Sequence, residues 1–294
     1  MYEKLDHCPL CGSSQFSNFM VVKDYAVTNE SFSISKCKKC EFLFTNPRPD
    51  ENNISKYYES KNYISHQDKS SNLTNFLYKI VRRITLKKKI RWINENSNKK
   101  GRLLDFGCGT GYFLQEAIKD GWEGVGLEVN SQAASIALNK HGLKVFQDIN
   151  LLKTENKFDV ITLFHVLEHL HDLSGTLKLL LSTLKKRGTL MIAVPNYNSH
   201  DSIYYKENWA SLDVPRHLYH FTPHTMEILT HQYRLKIKEI IPMVFDSYYV
   251  SILSENYIKR KNNILKSVFN GYMSNKKAKK DNNYSSLLFI LKKI

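Results

Sequence analysis

Apolar and polar residues along most of the chain follow patterns that predict strands alternating with helices. An apolar run beginning at Arg102 leads through a glycine-rich stretch into a helical pattern. Helical periodicity also covers residues 177–184, and Thr222 with Pro223 is typical of a helix N-terminus. Further predicted strands cover residues 124–128, 157–164, 189–194, 235–241 and 284–292, with a short strand before Asp148. This alternation indicates an α/β domain built on a mainly parallel sheet.

The first 60 residues have a different pattern, with two cysteine pairs flanking two β-like stretches at residues 16–22 and 31–35. Cys8 with Cys11, and Cys37 with Cys40, each form a C-x-x-C turn that can direct two thiolates at one ion. Disulfides and unpaired thiols are the alternatives, and the absence of a secretion signal disfavours disulfides. We predict a structural zinc site that uses all four thiolates and leaves no position for a catalytic water.

The composition and the lengths of the apolar runs indicate the class of protein. The 294 residues are 42% hydrophobic and 24% charged, which is typical of a globular protein. No apolar run is long enough to span a bilayer and no signal sequence is recognised, so we expect a cytoplasmic protein. The oligomeric state is not predicted.

The formal charge of +15 lies at the two ends of the chain. Residues 1–100 hold 18 basic and 10 acidic residues, residues 101–255 hold 15 and 17, and residues 256–294 hold 10 and 1. One basic cluster, between Arg82 and Arg91, has helical spacing, and another lies between Lys276 and Lys280. Either a solvated surface or an anionic partner would explain these clusters.

The glycine-rich stretch carries the candidate cofactor chemistry. Gly107, Gly109 and Gly111 follow the first predicted strand, and Glu128 ends the next one, where a carboxylate can accept both ribose hydroxyls. The spacing is G-x-G-x-G, and Tyr112 occupies the place of the third glycine of a dinucleotide fingerprint.

With Asp105 before the glycines and Glu128 after them, the segment resembles the first two binding motifs of class I S-adenosylmethionine-dependent methyltransferases, here of a bacterial type with an N-terminal four-cysteine segment. The resemblance implies a Rossmann-like, doubly wound, seven-stranded sheet in the order 3-2-1-4-5-7-6, with the last strand antiparallel. It also implies S-adenosylmethionine as cofactor. The implied cofactor residues are Asp105, Gly107, Gly109, Gly111, Tyr112, Phe113, Glu128, Asp148, Ile149, Phe164 and His165. Asp148 alone could equally be a surface acid.

We divide the chain accordingly into a zinc-ribbon-like module (1–60), a basic helical connector (61–100) and a methyltransferase domain (101–294) with an insertion at 244–283. Cys108, among the glycines, is expected to be a small filler residue.

Two motifs near the fourth strand exclude other functions. Residues 165–169 match H-x-x-E-H, a metalloprotease pattern, but the motif follows a strand directly instead of lying within a long helix. Amino-directed DNA methyltransferases have an N-P-P-Y-like motif at this point, and this chain does not. Proteolysis and methylation of base amines are therefore disfavoured.

Ionisable and aromatic residues are dense after the fifth strand, at residues 209–221. His217 and His220 are candidate proton acceptors, and Arg216 is a candidate ligand for an anionic substrate, although structural roles are equally open to them. Asp246, Tyr248 and Tyr249 are weaker candidates.

We expect methyl transfer to a small-molecule, sugar or glycan-type acceptor. The first alternative is a zinc-containing RNA methyltransferase. Nucleic acid is a possible partner, but the near-neutral middle of the chain does not favour it. The second alternative is a non-catalytic binding protein that has the zinc site and the cofactor fold.

Overall fold

The computed structural model of the protein describes residues 1–58, 73–259 and 263–294. Its largest sheet has seven strands. They are β6 (Arg102–Phe106), β7 (Glu123–Leu127), β8 (Val145–Phe146), β9 (Phe158–Phe164), β10 (Leu184–Pro195), β12 (Leu235–Pro242) and β13 (Ser286–Lys293). Their order across the sheet is β12-β13-β10-β9-β6-β7-β8, and β13 runs antiparallel to both of its neighbours. The predicted topology is confirmed.

Eight α-helices lie in the described residues. They are α1 (Leu73–Glu95), α2 (Tyr112–Lys119), α3 (Ser131–His141), α4 (Leu173–Thr183), α5 (His200–Tyr205), α6 (Pro223–Gln232), α7 (Asp246–Lys259) and α8 (Ile264–Asp281). Helix α4 ends earlier than the pattern indicates, because Leu184 already pairs with Phe158 as the first residue of β10. Thr222 caps α6 by accepting a hydrogen bond from the Thr225 backbone, with Pro223 in the first turn, as predicted.

Helix α1 covers part of the segment that we assigned to a connector. Trp92 and Ile93 are buried with Leu103 and Phe113, so the end of this helix packs directly on the main sheet. The predicted boundary between residues 60 and 61 lies outside the described residues. In the predicted insertion, the structure describes helices α7 and α8, which stand between β12 and β13.

The N-terminal segment forms a small sheet of its own. Short strands β1 (Tyr2–Glu3) and β5 (Arg48–Pro49) pair with each other, and β2 (Phe16–Lys23), β3 (Ser31–Cys37) and β4 (Leu43–Thr45) form an antiparallel meander. A fourth strand, β11 (Tyr219–His220), comes from the main domain and pairs with β4. Phe42 and Phe44 of the N-terminal segment pack in one apolar cluster with Tyr219 and Phe221. The two parts of the protein therefore share both a sheet and a core.

Candidate functional site

Four cysteine thiols meet at one end of the small sheet. The sulfur atoms of Cys8 and Cys40 lie 3.6 Å apart, as do those of Cys11 and Cys37, and all four lie within 4.8 Å of one another. A tetrahedral ion with Zn–S bonds of ~2.3 Å needs sulfur atoms about 3.8 Å apart. Burial raises the pKa of Cys8 to about 12 and also raises that of Cys40, so a nearby cation is needed to hold these groups as thiolates. The cluster fits a closed metal site, and zinc stays a prediction.

The glycine loop connects β6 to α2 at the carboxyl edge of the main sheet. Gly111 has φ +83, and a side chain there would overlap Leu143 Cδ1, so glycine fits both the conformation and the space. Gly109 has φ +54, and no atom lies within 4 Å of the position its Cβ would take. The backbone at Gly109 therefore faces open space, as close approach of a ligand requires.

Glu128 lies directly after β7 and faces this loop. Its carboxylate accepts hydrogen bonds of 2.9 Å from the Gly109 backbone and 2.8 Å from the Asn130 backbone. The second acid, Asp148, is exposed and accepts a 2.8 Å hydrogen bond from the Asn150 backbone. The structure thus fixes Glu128 against the loop, while Asp148 caps the turn that begins at Ile149.

Aromatic rings and a half-buried lysine lie close to the start of α2. Phe113 and Phe164 pack edge to face, with ring centres 5.1 Å apart, and Lys89 Nζ lies 3.8 Å from the centre of the Phe164 ring. Burial lowers the pKa of Lys89, and raises that of Asp105 to about 6. Thr162 donates a 2.8 Å hydrogen bond to Asp105.

Cys108 and Tyr112, in and next to the glycine loop, contact other parts of the main domain. Cys108 is buried, and a side chain added at Gly126 would lie 2.7 Å from its sulfur, so the thiol packs against the second strand. The Tyr112 hydroxyl accepts a 3.1 Å hydrogen bond from Lys140.

Sequence reasoning missed Lys89, because it belongs to the basic cluster on α1 that resembled a solvated surface. Its position between Lys88 and Ile90 gave no separate signal.

His165 links the end of β9 to the inserted helices. Its backbone has φ +59, its Nε2 atom lies 3.1 Å from Asp246 Oδ2, and its Nδ1 atom lies 3.6 Å from Glu168 Oε1. Burial opposes a charge on this ring, but the carboxylates of Asp246 and Glu168 outweigh it and raise the pKa of His165 to about 9. Asp246, a weaker candidate in the sequence, therefore lies in the same charged network as His165.

The H-x-x-E-H segment does not form a long helix, in agreement with its predicted position directly after a strand. Residues Leu167–His169 are a single 3-10 turn, and His165 and His169 do not converge on one ion. Instead, Glu168 and His169 lie beside His217, with one donor atom from each residue within 4.8 Å of the others. The Leu218 backbone donates a 2.8 Å hydrogen bond to the Glu168 carbonyl and fastens the two segments together.

Arg216 lies in the loop before β11, and its side chain is buried. Its guanidinium contacts Asp24 at 2.9 Å, Asp213 at 2.6 Å and the Tyr57 carbonyl at 2.8 Å, and the side chain is 2% exposed. All three guanidinium nitrogens are engaged, so the geometry favours a structural role over the predicted anion binding. The pairing with Asp24 ties the loop to the N-terminal segment.

The two candidate histidines differ in their surroundings. His217 Nδ1 lies 2.8 Å from the Ser211 carbonyl, and the ring packs edge to face against His169. His220 is buried in β11, where its Nε2 atom is 3.4 Å from Thr45 Oγ1, and burial lowers its pKa to about 3. His217 therefore belongs to the Glu168 cluster, whereas His220 lies in the shared core.

A family model described as a methyltransferase domain matches residues 80–240, which is more than half of the 294-residue chain. The chain is 33% identical over 101 residues to a ubiquinone biosynthesis O-methyltransferase of Pelagibacter ubique, covering 32% of this chain and 42% of that protein. It is 28% identical over 124 residues to the Coxiella burnetii protein of the same name, covering 40% and 53%. These matches span about half the length of the curated relatives or less.

Solved structures share the fold. Magnesium protoporphyrin IX methyltransferase from Synechocystis, with bound SAH, aligns with a TM-score of 0.56 and 14% identity over 83% of this chain and 100% of that one. Geranyl diphosphate C-methyltransferase from Streptomyces coelicolor aligns with a TM-score of 0.51 and 15% identity over 78% and 88%. Together with the sheet order and the glycine loop, the family match shows that this chain belongs to the class I S-adenosylmethionine-dependent methyltransferases.

Proposed function

We propose that the protein transfers a methyl group from S-adenosylmethionine to a hydroxyl oxygen of a small-molecule or glycan-type acceptor. The observation that carries this proposal is the cluster of Glu168, His169 and His217 at the edge of the sheet where the glycine loop lies. The curated relatives named above are O-methyltransferases, which supports oxygen as the methylated atom.

The cofactor would lie over the glycine loop. Glu128, already held against Gly109, would accept the ribose hydroxyls, and the open space at Gly109 leaves room for the methionine part. Lys89 supplies positive charge beside Phe164, where a methionine carboxylate would bring negative charge. The site therefore offers a hydrogen-bond acceptor, open space and a positive charge where the cofactor would need them.

The reaction needs the acceptor hydroxyl to lose a proton as its oxygen attacks the methyl carbon. The oxygen–carbon bond forms, the carbon–sulfur bond breaks, and its electron pair stays with sulfur. His217 can accept this proton, because its Nδ1 atom lies 2.8 Å from the Ser211 carbonyl, as in the tautomer that leaves Nε2 unprotonated. Burial lowers the pKa of His169 to about 4, so this adjacent ring stays neutral at pH 7. The neighbouring Glu168 carboxylate would stabilise the imidazolium that forms. This chemistry is that of a general base.

The test is methyl transfer from labelled cofactor to a panel of phenols, nucleotide sugars and ribosomal RNA. We expect an alkali-stable methyl ether on a small or glycan-type acceptor, and His217→Gln should lower kcat by about 10²-fold or more while sparing cofactor affinity. His224→Gln, at an exposed position on α6, is the matched control and should keep full activity. Label on nitrogen or carbon alone would contradict the proposal.

RNA is the second candidate acceptor, because both ends of the chain are basic. If RNA were the acceptor, its affinity should fall steeply with salt, and charge reversal at Lys87 and Lys88 should flatten that dependence. We expect neither result, because the stretch that holds the site holds 15 basic and 17 acidic residues.

A further inference from the structure

We propose that Glu168, His169 and His217 bind a divalent transition-metal ion at a site separate from the cysteine cluster. These residues come from two segments, the turn after β9 and the loop before β11. One donor atom from each lies within 4.8 Å of the others, so small side-chain movements would bring all three to the bond lengths of ~2.0–2.2 Å that one ion needs.

The Glu168 carboxylate is the first reason to place a cation here. Glu168 is 0% exposed, and neither of its oxygens has a hydrogen-bond partner. The nearest cationic group is His165, whose Nδ1 atom lies 3.6 Å from Oε1, beyond hydrogen-bond distance. A buried carboxylate that accepts no hydrogen bond is costly even beside a charged ring, and a bound cation would offset that cost.

The two histidines are oriented as metal ligands usually are. His169 Nδ1 lies 3.0 Å from the Arg216 carbonyl and 3.0 Å from the Tyr58 hydroxyl, and His217 Nδ1 lies 2.8 Å from the Ser211 carbonyl. A ring that donates its Nδ1 proton to a carbonyl has an unprotonated Nε2 atom with a free lone pair. His217 Nε2 is 4.0 Å from Asp213 Oδ2, which leaves it outside a hydrogen bond. Each ring therefore offers one nitrogen to an ion.

The donor set indicates the class of ion. One carboxylate and two imidazoles suit Zn²⁺, Co²⁺ or Mn²⁺ better than Mg²⁺ or Ca²⁺, which prefer oxygen ligands. Three protein ligands also leave at least one coordination position open.

A consequence for catalysis rests on the proposed function. The acceptor oxygen would take the open position, the ion would lower the pKa of the hydroxyl, and the proton would pass to solvent. If no ion is bound, a histidine of the cluster acts as the general base described above. The proposed O-methyl transfer can therefore hold even if the proposed metal binding does not.

The experiment is a Co²⁺ titration of the full chain whose cysteine site is already loaded with zinc, followed by calorimetry and visible absorption. We expect one further equivalent of Co²⁺ with the spectrum of nitrogen and oxygen ligands and without absorption from sulfur ligands. Glu168→Gln should weaken this binding at least tenfold, and His217→Ala, checked by circular dichroism, provides a second variant should Glu168→Gln fold poorly. His224→Gln should bind as the wild type does.

Binding of no further equivalent, or equal affinity in both folded variants, would overturn the inference. The titration needs no methyl acceptor, so that outcome would leave the proposed O-methyl transfer standing.

Discussion

Replacing Arg216 with glutamine separates a structural from a catalytic role for this residue. The guanidinium is 2% exposed and contacts Asp24, which is 0% exposed, and Asp213, which is 23% exposed. Removing one partner from such a buried network costs about 3–5 kcal/mol, because the remaining carboxylates lose their counter-charge. We expect Arg216→Gln to lower the free energy of unfolding by that amount, measured by urea denaturation at low temperature.

Two controls make this test specific. Arg187→Gln, at an exposed position in β10, should change stability by less than about 0.5 kcal/mol. Adding Asp213→Asn to Arg216→Gln should cost less than the sum of the two single changes, with a coupling of about 0.5–3 kcal/mol. If Arg216→Gln leaves the unfolding curve unchanged but raises the acceptor KM tenfold, Arg216 is a substrate ligand and the structural reasoning is wrong.

Further predictions concern the cofactor, the cysteines and pH. Glu128→Gln should weaken S-adenosylhomocysteine binding at least tenfold in calorimetry, through loss of charge-assisted hydrogen bonds of about 1.5–3 kcal/mol. Glu116→Gln, at a partly exposed position on α2, should not weaken it, and equal affinities of the two variants would refute the ribose assignment. Elemental analysis should find at least one zinc per chain, and Cys37→Ser should lose one equivalent of zinc together with stability. The pKa of His220, about 3, lies below its ordinary 6.5, so its contribution to stability is present above pH 6.5 and lost as pH falls toward 3. Relative to His220→Gln, the wild type should lose up to ~1.4 kcal/mol per pH unit in that window; parallel stability curves would contradict this.

Local patterns predicted those parts of the fold that depend on nearby residues. The strand, glycine loop and Glu128 follow one another within 27 residues, Arg102 to Glu128, and each leaves its own signature in residue type. The antiparallel final strand was also correctly expected, although it came from the family resemblance and not from periodicity.

Long-range contacts were not predictable in the same way. Nothing in the sequence distinguishes Lys89 from its basic neighbours until α1 packs against Phe164. The sequence shows Glu168 and His169 only as part of a metalloprotease-like pattern. Their contact with His217 is not visible there, because His217 lies 48 residues beyond His169. Arg216 looked available for a substrate because Asp24, its partner, lies 192 residues away in a segment assigned to zinc.

The pairing of β11 with β4 also determines which part of the chain can be moved into another protein. Tyr219 and His220 have Phe44 and Leu43 as their strand partners, and the Thr45 backbone donates a hydrogen bond to the Leu218 carbonyl. A fragment cut at residues 80–240, the limits of the family match, would expose these aromatic side chains and leave the strand with no neighbour. Chimeras that exchange acceptor preference should therefore carry residues 1–58 and the loop around His217 from the same parent.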